Sequence, residues 1–167
     1  MLFRANTHLA AQLATCGKCG SRERRKQRAI DMIKEERRRY RIFVVDDDET
    51  LADMTGQMLR LIGYSTMVRT KPLDALALFS DAPERFDAVI VDEMMPDLRG
   101  TQLAMQLLRV KDDIPIILVT GYADMIPVER VRKSGVRATL IKPVQKEQLE
   151  EALESLLKPS KKVLSER

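Results

Sequence analysis

The 167-residue chain is 44% hydrophobic, 32% charged and 4% aromatic, the balance of one α/β-sized domain with some extra chain. No run nears the roughly eighteen apolar residues of a membrane helix, and Asn6, His8 and Gln12 interrupt the stretch where a secretory signal would be apolar. Two cysteines cannot build a disulfide framework, and seven glycines with seven prolines are too few for a collagenous or low-complexity chain. A cytoplasmic protein without membrane insertion, its core held by packing, is the expectation.

The formal charge of +4 conceals a split: residues 1 to 41 carry 12 Lys/Arg against 4 Asp/Glu, and residues 42 to 167 carry 17 against 21. The basic excess lies outside the part patterned like a folded domain. This places a boundary near Tyr40, giving a basic arm over residues 1–40, a domain over 41–157 and a basic tail over 158–167. In the arm, Cys16 and Cys19 have the spacing of half a zinc ribbon, but they supply two of four ligands and His8 is a poor third. An unliganded segment is the leading reading there, with shared zinc or a redox pair as alternatives. Residues 21 to 41 hold ten Lys/Arg and can form a helix bringing Ile30, Ile33 and Tyr40 together. Such a charge run is first a solvated face or a linker. Nucleic-acid binding is disfavoured without interleaved aromatics, and dimerisation is left open.

From Arg41 onward, short β-branched runs alternate with amphipathic stretches of helical length. The predicted strands are Ile42–Val45, Tyr64–Val68, Ala88–Val91, Ile116–Val119 and Ala138–Ile141. The first helix of this series follows Asp48, carries Leu51, Met54, Met58, Leu61 and Ile62, and stops at Gly63. The second begins after Thr70, whose hydroxyl is a candidate cap, with Pro72 in the first turn. The third runs from about Gly100 through Leu103, Leu107 and Leu108. Pro127 forbids a regular fourth helix across residues 122–131, so a loop and a short helix ending near Gly135 are expected. The last carries Leu149, Ala152, Leu153, Leu156 and Leu157. Five βα units with right-handed crossovers predict an α/β fold: a (βα)5 doubly wound, parallel, five-stranded sheet of flavodoxin-like order 2-1-3-4-5.

Such sheets work at the carboxyl ends of their strands. Those ends read Asp46-Asp47-Asp48-Glu49, Asp92-Glu93, Thr120-Gly121 and Lys142-Pro143. In this strand order Asp46, Asp47 and Asp92 converge, and their repulsion is relieved by raised pKa values or by a hard divalent cation such as Mg²⁺. Lys142 adds an ammonium and Thr120 a hydroxyl donor. A cation, an ammonium, a hydroxyl and a carboxylate nucleophile are what phosphoryl transfer to an aspartate requires. Asp48 and Glu49 read as helix N-terminal charge.

With Val44-Val45-Asp46-Asp47, Val91-Asp92-Glu93-Met94-Met95-Pro96, Gly100, Leu118-Val119-Thr120-Gly121 and Lys142-Pro143 in place, the chain resembles the receiver domain of bacterial two-component response regulators over residues 41–157. The Thr120-Gly-Tyr-Ala-Asp wording is closest to receivers of hybrid histidine kinases. The resemblance implies that Asp92 takes a phosphoryl group from a phosphohistidine of a histidine kinase or phosphotransfer protein. It implies that Asp46, Asp47, Asp92 and the main-chain carbonyl of Met94 hold Mg²⁺, with Mn²⁺ as an alternative, that Lys142 and Thr120 meet the phosphoryl oxygens, and that a downstream protein partner reads the change.

Two positions tune this expectation. The family's aromatic switch residue, three before the lysine, is here Thr139, so that role is lost or moved to Tyr122. Met94 and Tyr122, two beyond Asp92 and Thr120, offer no base for water, which predicts slow autodephosphorylation. One helix and a short tail after Lys142 suggest a single-domain regulator without an effector domain. A rival reading, a haloacid-dehalogenase-like phosphatase, uses Asp46-Asp47-Asp48-Glu49-Thr50, but the later acids Glu147, Glu150, Glu151 and Glu154 are spaced as a helix face rather than a metal site. A binding module acting through the basic arm is the other alternative.

Overall fold

The alternation of β-branched and amphipathic segments resolves, in the computed structural model, into a parallel sheet between helices. The structure describes residues 19–121 and 126–157. In chain order the elements are α1 (Cys19–Arg37), β1 (Arg41–Val45), α2 (Glu49–Ile62), β2 (Ser65–Arg69), α3 (Pro72–Asp81), β3 (Ala88–Asp92), α4 (Gly100–Val110), β4 (Ile116–Thr120), α5 (Val128–Ser134), β5 (Ala138–Ile141) and α6 (Lys146–Leu157). The strand order is β2-β1-β3-β4-β5 and every pair is parallel, as expected.

Alternate residues of each strand face opposite sides, so the sheet divides the core in two. On one side Phe43, Val45, Val89, Val91, Ile116 and Leu118 meet Phe79 of α3 and Leu103 and Leu107 of α4. Phe86 lies in this layer, stacked on Phe43 at a centroid separation of 4.5 Å. On the other, Ile42, Val44, Ile90 and Ile117 meet Leu59 and Ile62 of α2 and Leu149 and Leu153 of α6. The central strands β1, β3 and β4 are covered on both faces, whereas the edge strands β2 and β5 are only half-covered.

Local signals set most helix ends. Asp48 accepts hydrogen bonds from the N–H groups of Thr50 and Leu51 and so caps α2, and Gly63, at φ 117°, ends it in the left-handed region. The chain then turns so that Tyr64 is buried ahead of β2 rather than within it. The expected Thr70 cap is not formed. Pro72 starts α3, and the residue before a proline is held extended, so Lys71 becomes the N-cap without a side-chain bond and Thr70 lies one residue too early. The short α5 starts after Pro127 and ends at Gly135, φ 76°, as the proline demanded.

Within the basic arm α1 runs from Cys19 to Arg37, and every side chain from Glu23 to Glu36 is exposed. Its last turn belongs to the domain nonetheless. The Arg37 guanidinium donates to the Ile62 carbonyl at 3.2 Å, pairs with Glu150 at 2.8 Å and with Glu154, and lies over the Tyr64 ring.

Candidate functional site

The register places the candidate residues level at one sheet edge. Val45 pairs with Val91, Asp92 with Val119, and Thr120 with Ile141, so Asp46, Asp92, Thr120 and Lys142 stand side by side at the carboxyl ends of four strands. Lys142 Nζ lies 2.6 Å from Asp92 Oδ1 and 2.9 Å from Asp46 Oδ2. The other oxygens accept from the main chain: Asp48 N–H donates to Asp46 Oδ1 at 3.1 Å, and Met94 N–H to Asp92 Oδ2 at 2.6 Å. Each buried carboxylate is thus gripped on both sides. The Lys142–Pro143 peptide bond is cis.

Asp46 and Asp92 are buried and Asp47 is exposed, yet one oxygen of each lies within 4.8 Å of the others, a set able to hold a metal ion. Three carboxylates facing one ammonium leave net negative charge, and all-oxygen donors suit a hard divalent cation. Burial pushes the Asp46 carboxyl above the usual carboxylate range, and the neighbouring Asp92 charge adds to this against the opposing pull of Lys142 and the Asp48 N–H. For Lys142, burial works downward, but its bonds to Asp92 and Asp46 outweigh it and hold the ammonium above its ordinary value. Lys142 therefore keeps its charge at neutral pH. Thr120 is fully buried at the same edge, and its carbonyl accepts from the Lys142 N–H at 2.8 Å.

The loop after β3 explains two fixed spacings. A Cβ on Gly100 would stand 2.2 Å from the Asp92 carbonyl oxygen, so only glycine lets α4 start this close to the acceptor strand. Glu93, read from sequence as one more strand-end acid, points away from the cluster. It is fully buried and accepts from the Thr101 N–H at 2.8 Å and the Thr101 hydroxyl at 3.2 Å, a carboxylate on the first turn of α4. Strand alternation was the available signal: if Asp92 faces the pocket, Glu93 cannot.

Met94 is half-exposed beside the cluster, its sulfur 3.8 Å from an Arg99 nitrogen. Thr139 is exposed on the edge strand β5, on the same face as the exposed Ile141. Tyr122 and Cys16 lie outside the described residues, and the side chain of Cys19 likewise. Asp48 spends its carboxylate on the α2 cap, and Glu150 and Glu154 pair with Arg37, so neither acid group completes a phosphatase-type site.

Comparison with known proteins agrees with this geometry. The family model of the response regulator receiver domain matches residues 42–154. The chain belongs to the response regulator receiver domain family. It is 30% identical over 125 residues to the probable transcriptional regulator ycf27 of Cyanidium caldarium, covering 75% of this chain and 49% of that one. It is 31% identical over 121 residues to the two-component response regulator ARR10 of Arabidopsis thaliana, covering 72% and 22%. The chain thus spans half or less of the length of these relatives. Among solved structures, a CheY-like receiver domain protein of Methanospirillum hungatei superposes with TM-score 0.64 at 30% identity, covering 71% of this chain and 93% of that one. The regulator TrrA of Thermotoga maritima, in complex with Mg²⁺-BeF, gives 0.64 at 27%, covering 71% and 99%.

Proposed function

We propose that this receiver domain accepts a phosphoryl group on Asp92 from a phosphohistidine of a histidine kinase or phosphotransfer protein. The observation that carries this reading is the Lys142 ammonium bridging Asp92 and Asp46 beside Asp47. That arrangement presents one carboxylate to an incoming group while neutralising its neighbours. Asp46, Asp47, Asp92 and the main-chain carbonyl of Met94 would hold Mg²⁺ or Mn²⁺. The bound ion supplies positive charge for the phosphoryl oxygens. The complex of the Thermotoga relative with Mg²⁺-BeF supports this assignment.

An Asp92 carboxylate oxygen attacks phosphorus, the phosphorus–nitrogen bond breaks, and the imidazole leaves with the bond pair and takes up a proton. Lys142 releases Asp92 Oδ1 and pairs with a phosphoryl oxygen, keeping the acceptor oriented. The Thr120 hydroxyl donates to another phosphoryl oxygen and draws its loop inward, a change that a downstream protein partner reads as altered contacts. With Thr139 at the usual aromatic position, that readout proceeds without a ring at β5.

Transfer from a labelled phosphohistidine protein tests the reading. Label is expected on Asp92 and is lost in Asp92→Asn, whereas label retained in that variant contradicts it. Met94 supplies no base, so the adduct is long-lived, and Met94→Asn is expected to speed its decay several-fold. Unchanged decay would remove Met94 from that role.

A further inference from the structure

We propose that Glu93 is a positioning residue for the metal ion: it fixes the loop that carries the Met94 carbonyl and so sets how tightly the acidic cluster binds Mg²⁺. This rests on the reading that Asp46, Asp47, Asp92 and that carbonyl hold the ion. Helix α4 shows why the loop needs such a residue. Its N-cap is Arg99, whose side chain has no acceptor atom, so the free N–H groups of the first turn need one from elsewhere. Glu93 supplies it twice. Its carbonyl accepts from the Gly100 N–H at 3.1 Å, and its carboxylate accepts from the Thr101 N–H at 2.8 Å and the Thr101 hydroxyl at 3.2 Å. The Glu93 N–H donates in turn to the Val119 carbonyl of β4 at 2.9 Å. Glu93 and Thr101 are both buried, and between them they fasten the start of α4 to the centre of the sheet.

The loop closed by this clamp contains strain. The Leu98 N–H donates to the Pro96 carbonyl at 2.7 Å across Asp97, whose φ is 66°. A three-residue turn of positive φ is the rare, strained form, and it persists only where its surroundings over-determine it. Glu93 is the amino-terminal post of that loop and stands between two of the expected metal ligands. The Met94 N–H donates to Asp92 Oδ2 at 2.6 Å, which ties the 93–94 peptide to the acceptor. The Met94 carbonyl belongs to the next peptide, between that tie and the strained turn. Without the Glu93 carboxylate the Thr101 N–H and hydroxyl are buried without an acceptor, the turn relaxes, and the carbonyl loses its fixed direction. Groups that orient a metal ligand act on affinity in this way, whereas a residue that only stabilises α4 would change unfolding and leave metal affinity alone.

Metal binding by the full chain tests this, with Mn²⁺ as the probe: electron paramagnetic resonance measures the free ion, and competition gives the affinity for Mg²⁺. Glu93→Ala is expected to raise the dissociation constant about tenfold. Thr101→Val raises it less, and Thr101→Ser, which keeps the hydroxyl, leaves it unchanged. In phosphorylation by a small-molecule phosphodonor the half-saturating Mg²⁺ concentration rises in step, while the rate at saturating Mg²⁺ stays at the wild-type value. Ile62→Ala, a loss of packing on the other face of the sheet, is the stability control and is expected to bind Mn²⁺ as the wild type does. Urea unfolding shows which variants fold, and if Glu93→Ala does not, the Thr101 pair decides. Wild-type affinity in Glu93→Ala and Thr101→Val, or an equal loss in Ile62→Ala, overturns the proposal. A wild type that binds no Mn²⁺ overturns the reading beneath it as well.

Discussion

Gly100 illustrates how a residue with no reactive group of its own sets the acceptor's position. Because its Cβ would meet the Asp92 carbonyl oxygen at 2.2 Å, Gly100→Ala must push the acceptor strand or the start of α4 aside. Its expected signature is a rate of Asp92 phosphorylation that falls at least tenfold (roughly 1.4 kcal/mol), measured by phosphoryl incorporation, while the chain still folds. An unchanged rate would show that the loop absorbs the methyl group. Tyr64 sets an alkaline limit. Burial raises its hydroxyl above the ordinary 10.0, with Arg37 opposing. The folded state holds this proton more tightly than the unfolded chain, so the contribution is intact below pH 10.0 and is lost as pH rises through the folded value. Urea unfolding across that window should show stability falling in the wild type and a shallower fall in Tyr64→Phe. Asp46, Asp92, Thr120 and Lys142 were legible in the sequence because each ends or follows a strand, where topology alone brings them together. Glu93 and Arg37 were not. Their partners are assigned by side-chain direction and by tertiary packing, Arg37 meeting Glu154 across 117 residues.

At the scale of elements, legibility followed the strength of local chemistry. Asp48 before an apolar stripe and Gly63 after it mark both ends of α2, and the structure agrees. Asp48→Ala should cost about 1 kcal/mol, read as a lower urea midpoint with an unchanged slope. A loss near zero would mean that water or Asp46 replaces the cap. Thr70 failed as a cap because two local rules competed, and the proline's constraint on its predecessor prevailed over the hydroxyl. The tie between α1 and the domain centres on one guanidinium shared by two carboxylates, a carbonyl and a ring, with Lys34 close against Gly63 and Ser65 donating to the Arg38 carbonyl. Arg37→Ala is therefore expected to cost about 1–2 kcal/mol and to speed amide exchange in the last turn of α1 while leaving β1 to β5 protected. Unaltered exchange there would show that Tyr40 and the backbone hold the helix without it.

For the whole molecule, the split of charge along the chain is also a split in space. The acidic domain carries its cluster at the carboxyl edge of the sheet, while the basic helix leaves it through Arg37, beside Ile62 and Gly63, and continues beyond its surface. The parallel order was readable because a five-unit βα chain has few unknotted, right-handed solutions. The docking of the arm was not, since a helix exposed along most of its length has no apolar period to betray it. What the arrangement does depends on one reaction at Asp92, and intact-protein mass spectrometry after incubation with a small-molecule phosphodonor tests it most directly. With Mg²⁺ present, the account predicts a gain of one phosphoryl group per chain, labile to hydroxylamine and abolished by chelation or by Asp92→Asn. No gain, or an equal gain in Asp92→Asn, would contradict it.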